Sequence, residues 1–235
     1  MRFRTLIALL IASCQVDNHD DHPKQPHPDL AQQILEGERR MHERYASSRQ
    51  IVYAIANSNL ADAQDNARVI DGLVDPDLLP VWQPYIVDVQ ASARGIVNAT
   101  NLGSAAHQFA SMGGRCAACH TAMATKIKFD DSLPAIENRT PGMLDHVQSA
   151  MSMWDGLVGP DDAHWTAGAT ALGTMPVNLI AREATPSFVG DVDDTARIRA
   201  LAARATAARY QDERVEVFAD VMTTCAHCHQ LLRDR

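Results

Sequence analysis

A chain of 235 residues, 46% apolar but only 5% aromatic, is long enough to bury one large core or two small ones, and its abundant alanine favours helix over strand. A formal charge of −8 excludes the basic surface that nucleic-acid binding needs and, where clustered, would steer the chain toward basic partners.

Residues 1–13 open with Arg2 and Arg4, run through the apolar stretch Leu6-Ile7-Ala8-Leu9-Leu10-Ile11 and end in Ala12-Ser13 before Cys14. The pattern predicts an export signal and is too short for a membrane-spanning helix. Ile11-Ala12-Ser13-Cys14 is similar to the lipobox of bacterial lipoproteins, in which the signal is cut before the cysteine and the cysteine is acylated. The alternative is an ordinary cleaved signal with an incidental Cys14. Several acyl chains on Cys14 would anchor the protein durably to a membrane surface, where one chain alone would be marginal. Gln15 at the next position, by similarity to the sorting rules of Gram-negative bacteria, favours the outer membrane, and otherwise the expected location is the periplasm. Loss of Arg2 and Arg4 with the signal takes the charge from −8 to −10. Residues 14–28 are charged and proline-containing without large apolar side chains, as in a solvated tether. His19, His22 and His27 within it would bind a metal only loosely, and a polar spacer is the simpler reading.

Beyond the tether, apolar periodicity predicts helices over 29–57, 60–74, 80–100 and 102–125, with breaks at Asp75-Pro76 and around Pro80. A linker over 129–140 follows, rich in Asp and Pro. Helices are then expected over 141–158, 160–173, 192–208 and 210–233, with a long connection between Pro176 and Gly190. The first helix carries the stripe Met41, Tyr45, Ser48, Val52, Ile55, and a shift of 102 residues gives Met143, Val147, Ala150, Trp154, Leu157. A shift of 109 superimposes Phe109-Ala110 on Phe218-Ala219, so an insertion of seven separates the copies somewhere between their first and fourth helices. The expected fold is therefore all-α, two tandem four-helix bundles occupying 29–128 and 141–235.

At the same shift of 109, Cys116-Ala117-Ala118-Cys119-His120 falls on Cys225-Ala226-His227-Cys228-His229. Each pentapeptide reads as an attachment site for a c-type haem. Two thiols three positions apart on one helical turn can each add across a haem vinyl group, and the following His120 or His229 can then ligate the iron from the proximal side. Two Cys-x-x-Cys pairs could instead supply four thiolates to one zinc ion, but that reading needs neither histidine. With two covalently bound haems, four thiols are used and Cys14 is left for lipid, so no pair remains for a disulfide.

Taken together, the pentapeptide near the end of a fourth helix, the helix-one methionine followed by a break into helix two, and the unit length resemble the cytochrome c-prime family of four-helix haem proteins and its methionine-ligated relatives. Arg233 stands four residues after His229, as that family's pattern has it, whereas the first copy carries Ala124 at the corresponding place. The resemblance implies that Arg233 contacts its haem and that bundles of this kind often form a homodimer. It also implies that the distal position near the start of helix one is either a methionine or an apolar residue that leaves the iron open. The residues at that position are Met41 and Met143. A thioether favours ferrous iron and raises the potential, although methionine on an apolar stripe can equally be core packing. His146, one turn from Met143, competes for the same iron, but its counterpart is Arg44, so a mechanism shared by both copies does not use it. Tyr45 and Trp154 are expected at haem edges, and His107, His164 and His227 at the surface without partners.

Electron carriage between redox partner proteins in the cell envelope follows, with no catalytic acid, base or nucleophile required. The alternative is a haem protein with one open iron that binds nitric oxide or carbon monoxide or reduces peroxide, for which His146 is the only pointer in the sequence.

Overall fold

The structure, a computed structural model, describes residues 29–76, 78–129, 143–174 and 191–233, apart from a few side chains at the ends of those segments. Its described residues form eight helices and no strand: α1 Leu30–Ala56, α2 Leu60–Gly72, α3 Gln83–Val97, α4 Leu102–Ala122, α5 Met143–Val158, α6 Asp162–Thr174, α7 Asp191–Ala207 and α8 Gln211–Arg233. The fold is all-α. No helix among the described residues is long and apolar enough to cross a membrane. The expected signal, Cys14, the tether and nearly all of the linker lie outside the described residues.

Short polar side chains start four of these helices by accepting N–H groups that have no intrahelical partner. Asp29 accepts from Gln32 N at 2.9 Å, Asn59 from Asp62 N at 3.2 Å and Asn101 from Ser104 N at 2.8 Å. Asp161 does the same for Ala163 N at 2.8 Å and His164 N at 3.2 Å. At α8 the Glu213 carboxylate reaches back to Tyr210 N at 3.1 Å, half of a capping box. Helix α3 begins at Gln83 rather than near 80, because Pro84 fits only the first turn. Helices α2 and α6 start and end 102 residues apart, while the starts of α3 and α7 are 108 apart, so the extra residues of the second copy lie in the α6–α7 connection.

Within each half, consecutive helices pack in sequence order, α1 on α2, α2 on α3, α3 on α4, and likewise α5 to α8. Between the halves, α4 lies against α8, α1 against α8 and α5 against α4. The contact of α1 with its own α4, which would close a separate first bundle, is slight beside its contact with α8. The buried apolar residues accordingly form one cluster that runs through both halves. At its centre Phe109 of α4 stacks on Trp154 of α5 with ring centroids 4.0 Å apart, and Phe218 of α8 lies 5.8 Å from Trp154.

Residue size fits this crossing. At Gly113 of α4 a Cβ would sit 2.7 Å from both Trp154 and Leu157, so the glycine makes room for the indole. The counterparts invert the sizes: Val52 stands where the second copy has Trp154, and Met222 where the first has Gly113, all fully buried. Polar links also cross between halves. Trp154 Nε1 donates to Ser48 Oγ at 3.0 Å and the Tyr45 hydroxyl donates to Asp155 Oδ1 at 2.6 Å. Trp154 and Tyr45 are thus built into the junction, where burying an indole or phenol requires a partner for its N–H or O–H.

Candidate haem-attachment sites

Cys116, Cys119 and His120 occupy the last two turns of α4. The helix stops immediately after them. Met123 N donates to Cys119 O at 2.9 Å and Thr125 N to His120 O at 2.9 Å, while Ala124 takes a left-handed φ of 50°, a Schellman-type end made without glycine. Helix α8 has no such stop. It continues beyond Cys225, Cys228 and His229 through Arg233, so the position of Ala124 in one copy is still helical in the other.

The His120 ring is oriented by the opposite half. Its Nδ1–H donates to the carbonyl of Val158, the last residue of α5, at 2.8 Å. A carbonyl can only accept, so this contact fixes the tautomer and leaves Nε2 with its lone pair available to a metal. Burial depresses the proton affinity of the ring, which favours the neutral ligand form. The second segment is braced reciprocally: Ser58, in the turn after α1, donates its hydroxyl to the carbonyl of Ala226 within the second pentapeptide. Each attachment segment therefore leans on the helix-one end of the other copy.

The four cysteines of the pentapeptides are thiols outside any disulfide. Burial, then the neighbouring Cys119, pushes Cys116 up to about 12; burial, then Cys228, does the same for Cys225. These are neutral thiols rather than thiolates poised for an ion. Among the described residues no three of His, Cys, Asp and Glu are placed to hold a metal ion, so the two Cys pairs do not converge on one zinc.

A haem also brings two carboxylates, and the first site has a cation for one. Arg44 of α1 is buried close enough to Cys116 to bias its thiol. Its Nη2 binds Leu73 O at 3.3 Å and the Asp75 carboxylate, but its buried Nε and Nη1 donate to nothing among the described residues. Orphaned guanidinium donors near Cys116 would fit an anionic group such as a propionate. Met41 lies one turn before Arg44 on α1, half-buried.

The second site is a slot between α5, α7 and α8. It is lined by Cys225, Cys228, His229 and Thr224 of α8, by His146, Val147 and Ala150 of α5, by Asp194 and Ile198 of α7, and by Ala56 at the end of α1. Burial, and then the nearness of His146, lowers the proton affinity of His229. Met143 begins α5 and Arg233 ends α8, and both side chains lie outside the described residues.

Three histidines expected to stand alone have partners. His227 Nδ1 meets Asp194 Oδ2 at 2.9 Å, His164 Nδ1 meets Asp161 Oδ2 at 2.9 Å, and His107 Nδ1 donates to Gly103 O at 2.9 Å. Sequence reasoning points to His146 as a competing ligand but misses that its counterpart, Arg44, also lies near a Cys-x-x-Cys-His segment. The available signal was a polar residue three places after the stripe methionine in both copies.

Each of the two segments offers paired thiols followed by a histidine, and in the first the imidazole is oriented by a carbonyl of the other half. No family model, no curated protein and no solved structure matches this chain.

Proposed function

We propose that this chain is an exported dihaem c-type cytochrome that carries single electrons between redox partner proteins in the cell envelope. Two Cys-x-x-Cys-His segments near the ends of the packed helices α4 and α8, with His120 Nε2 left available by the Val158 contact, carry this reading. The two halves are taken as tandem four-helix haem units related to the cytochrome c-prime family and joined through a common core. When bound, each haem supplies reversible one-electron iron chemistry. The residues do the rest: Cys116 and Cys119, or Cys225 and Cys228, tether it, His120 or His229 ligates it, and Arg44 holds a carboxylate of the first. By the resemblance, Arg233 contacts the second.

On the distal side the resemblance assigns Met41 to the first haem and Met143 to the second. A lipid on Cys14 would keep the protein at the periplasmic face of a membrane, the outer one by the Gln15 rule. The test is the protein exported with its haems: a pyridine haemochrome assay should return two haems per chain, covalent under denaturing electrophoresis. Ferric spectra should be low-spin and the ferrous protein should not bind carbon monoxide. Stoichiometric carbon monoxide binding at both haems would replace electron transfer with gas binding.

A further inference from the structure

We propose that the imidazole of His146, rather than the thioether of Met143, is the distal ligand of the second haem, so that one haem is histidine–methionine and the other bis-histidine. This rests on the dihaem reading and deepens it. The argument begins with the repeat. Position 44 on α1 and position 146 on α5 are equivalent under the shift of 102, and both lie near a pentapeptide: Arg44 close enough to Cys116 for its charge to act on the thiol, His146 in the slot with Cys225, Cys228 and His229. Two independent copies thus place this register position at the haem.

What occupies the position then decides the chemistry. A guanidinium has no lone pair to give a metal, and Arg44 is in any case held by Asp75 and Leu73 O. A sixth ligand for the first haem has to come from another residue, and Met41 is one turn away on α1. An imidazole does have a lone pair, and His146 opens into a slot otherwise lined on its α5 side by Val147 and Ala150, which cannot ligate. Two histidines, one on α5 and one on α8, therefore share one slot with both tethering cysteines. Because a thioether raises the potential of haem iron relative to a second imidazole, the second haem is the lower-potential one, and the pair is ordered from the second haem to the first.

The experiment uses the full chain loaded with haem. In the ferric protein, near-infrared magnetic circular dichroism should show the methionine-to-iron charge-transfer band for one haem only, with a bis-histidine signature for the other. His146→Ala should convert one of the two low-spin signals to high spin and open that haem to carbon monoxide, and added imidazole should restore low spin. Met143→Leu should change none of these. Methionine bands from both haems in the unmodified protein, or His146→Ala with both haems still low-spin, would overturn the assignment while leaving the dihaem reading intact. A haem content of zero in the pyridine assay would overturn both. The spectrum of the unmodified protein decides the matter even if His146→Ala does not fold.

Discussion

The two Cys-x-x-Cys-His segments share their bracing by the other copy but differ in their immediate surroundings. The first ends its helix at once, with Ala124 at a φ of 50°, has its histidine oriented by Val158 O, and stands beside a buried arginine with orphaned donors. The second continues its helix through Arg233 and shares its slot with another histidine. Haem attachment as proposed would need only local covalent chemistry, and both copies keep the residues for it. Potential depends on the surroundings of the iron, which come from other helices, so the copies were free to diverge there.

The largest test of that contrast removes one proposed haem-attachment segment at a time. Cys116→Ala/Cys119→Ala and Cys225→Ala/Cys228→Ala should each halve the haem content. Redox titration of each should leave a single potential, higher for the protein that keeps the first haem. Equal potentials would erase the contrast.

The next asks whether the halves are as separate in stability as they are in chemistry. Trp154 is fully buried against Phe109 of the other copy, and truncating such a residue costs about 3–5 kcal/mol. Trp154→Ala should lower one cooperative thermal transition that includes both halves. Two transitions, with only the second displaced, would show independent bundles.

A smaller change probes the polar link between the halves. Tyr45→Phe removes the hydroxyl that donates to the buried Asp155 carboxylate and should cost about 1–2 kcal/mol in denaturant unfolding, with haem spectra unchanged. The smallest is a gain. Ala124→Gly relieves a left-handed residue at the end of α4 and should stabilise the protein by about 0.5–1 kcal/mol. The same substitution at Arg233, which is helical, should not stabilise.

Much of the architecture was legible because helices are specified locally. The stripe led by Met41 and its copy led by Met143, and the break at Asp75-Pro76, placed six of the eight helices within about two residues at each end, the ordinary margin of such assignments. Helix α3 was placed too early because Pro80 sits in a turn that its periodicity does not reveal. The candidate site was legible only to the pentapeptides. Its neighbours were not: Ser58 and Ala226 are 168 residues apart, Tyr45 and Asp155 110 apart, and no spacing rule connects such pairs. His146 was set aside because its counterpart is arginine, yet that inequality is what distinguishes the two sites.

By itself the sequence determined the all-helical fold, the internal repeat and the paired thiol–histidine segments, because each is written within a few turns of one helix or in the recurrence of a pattern. Only the tertiary structure decided that the two copies share a core, that each braces the other's attachment segment, and that Arg44 and His146 stand beside them. Those contacts depend on how eight amphipathic helices bury their apolar faces together, and side-chain volumes such as Gly113 against Trp154 select that packing jointly rather than one segment at a time.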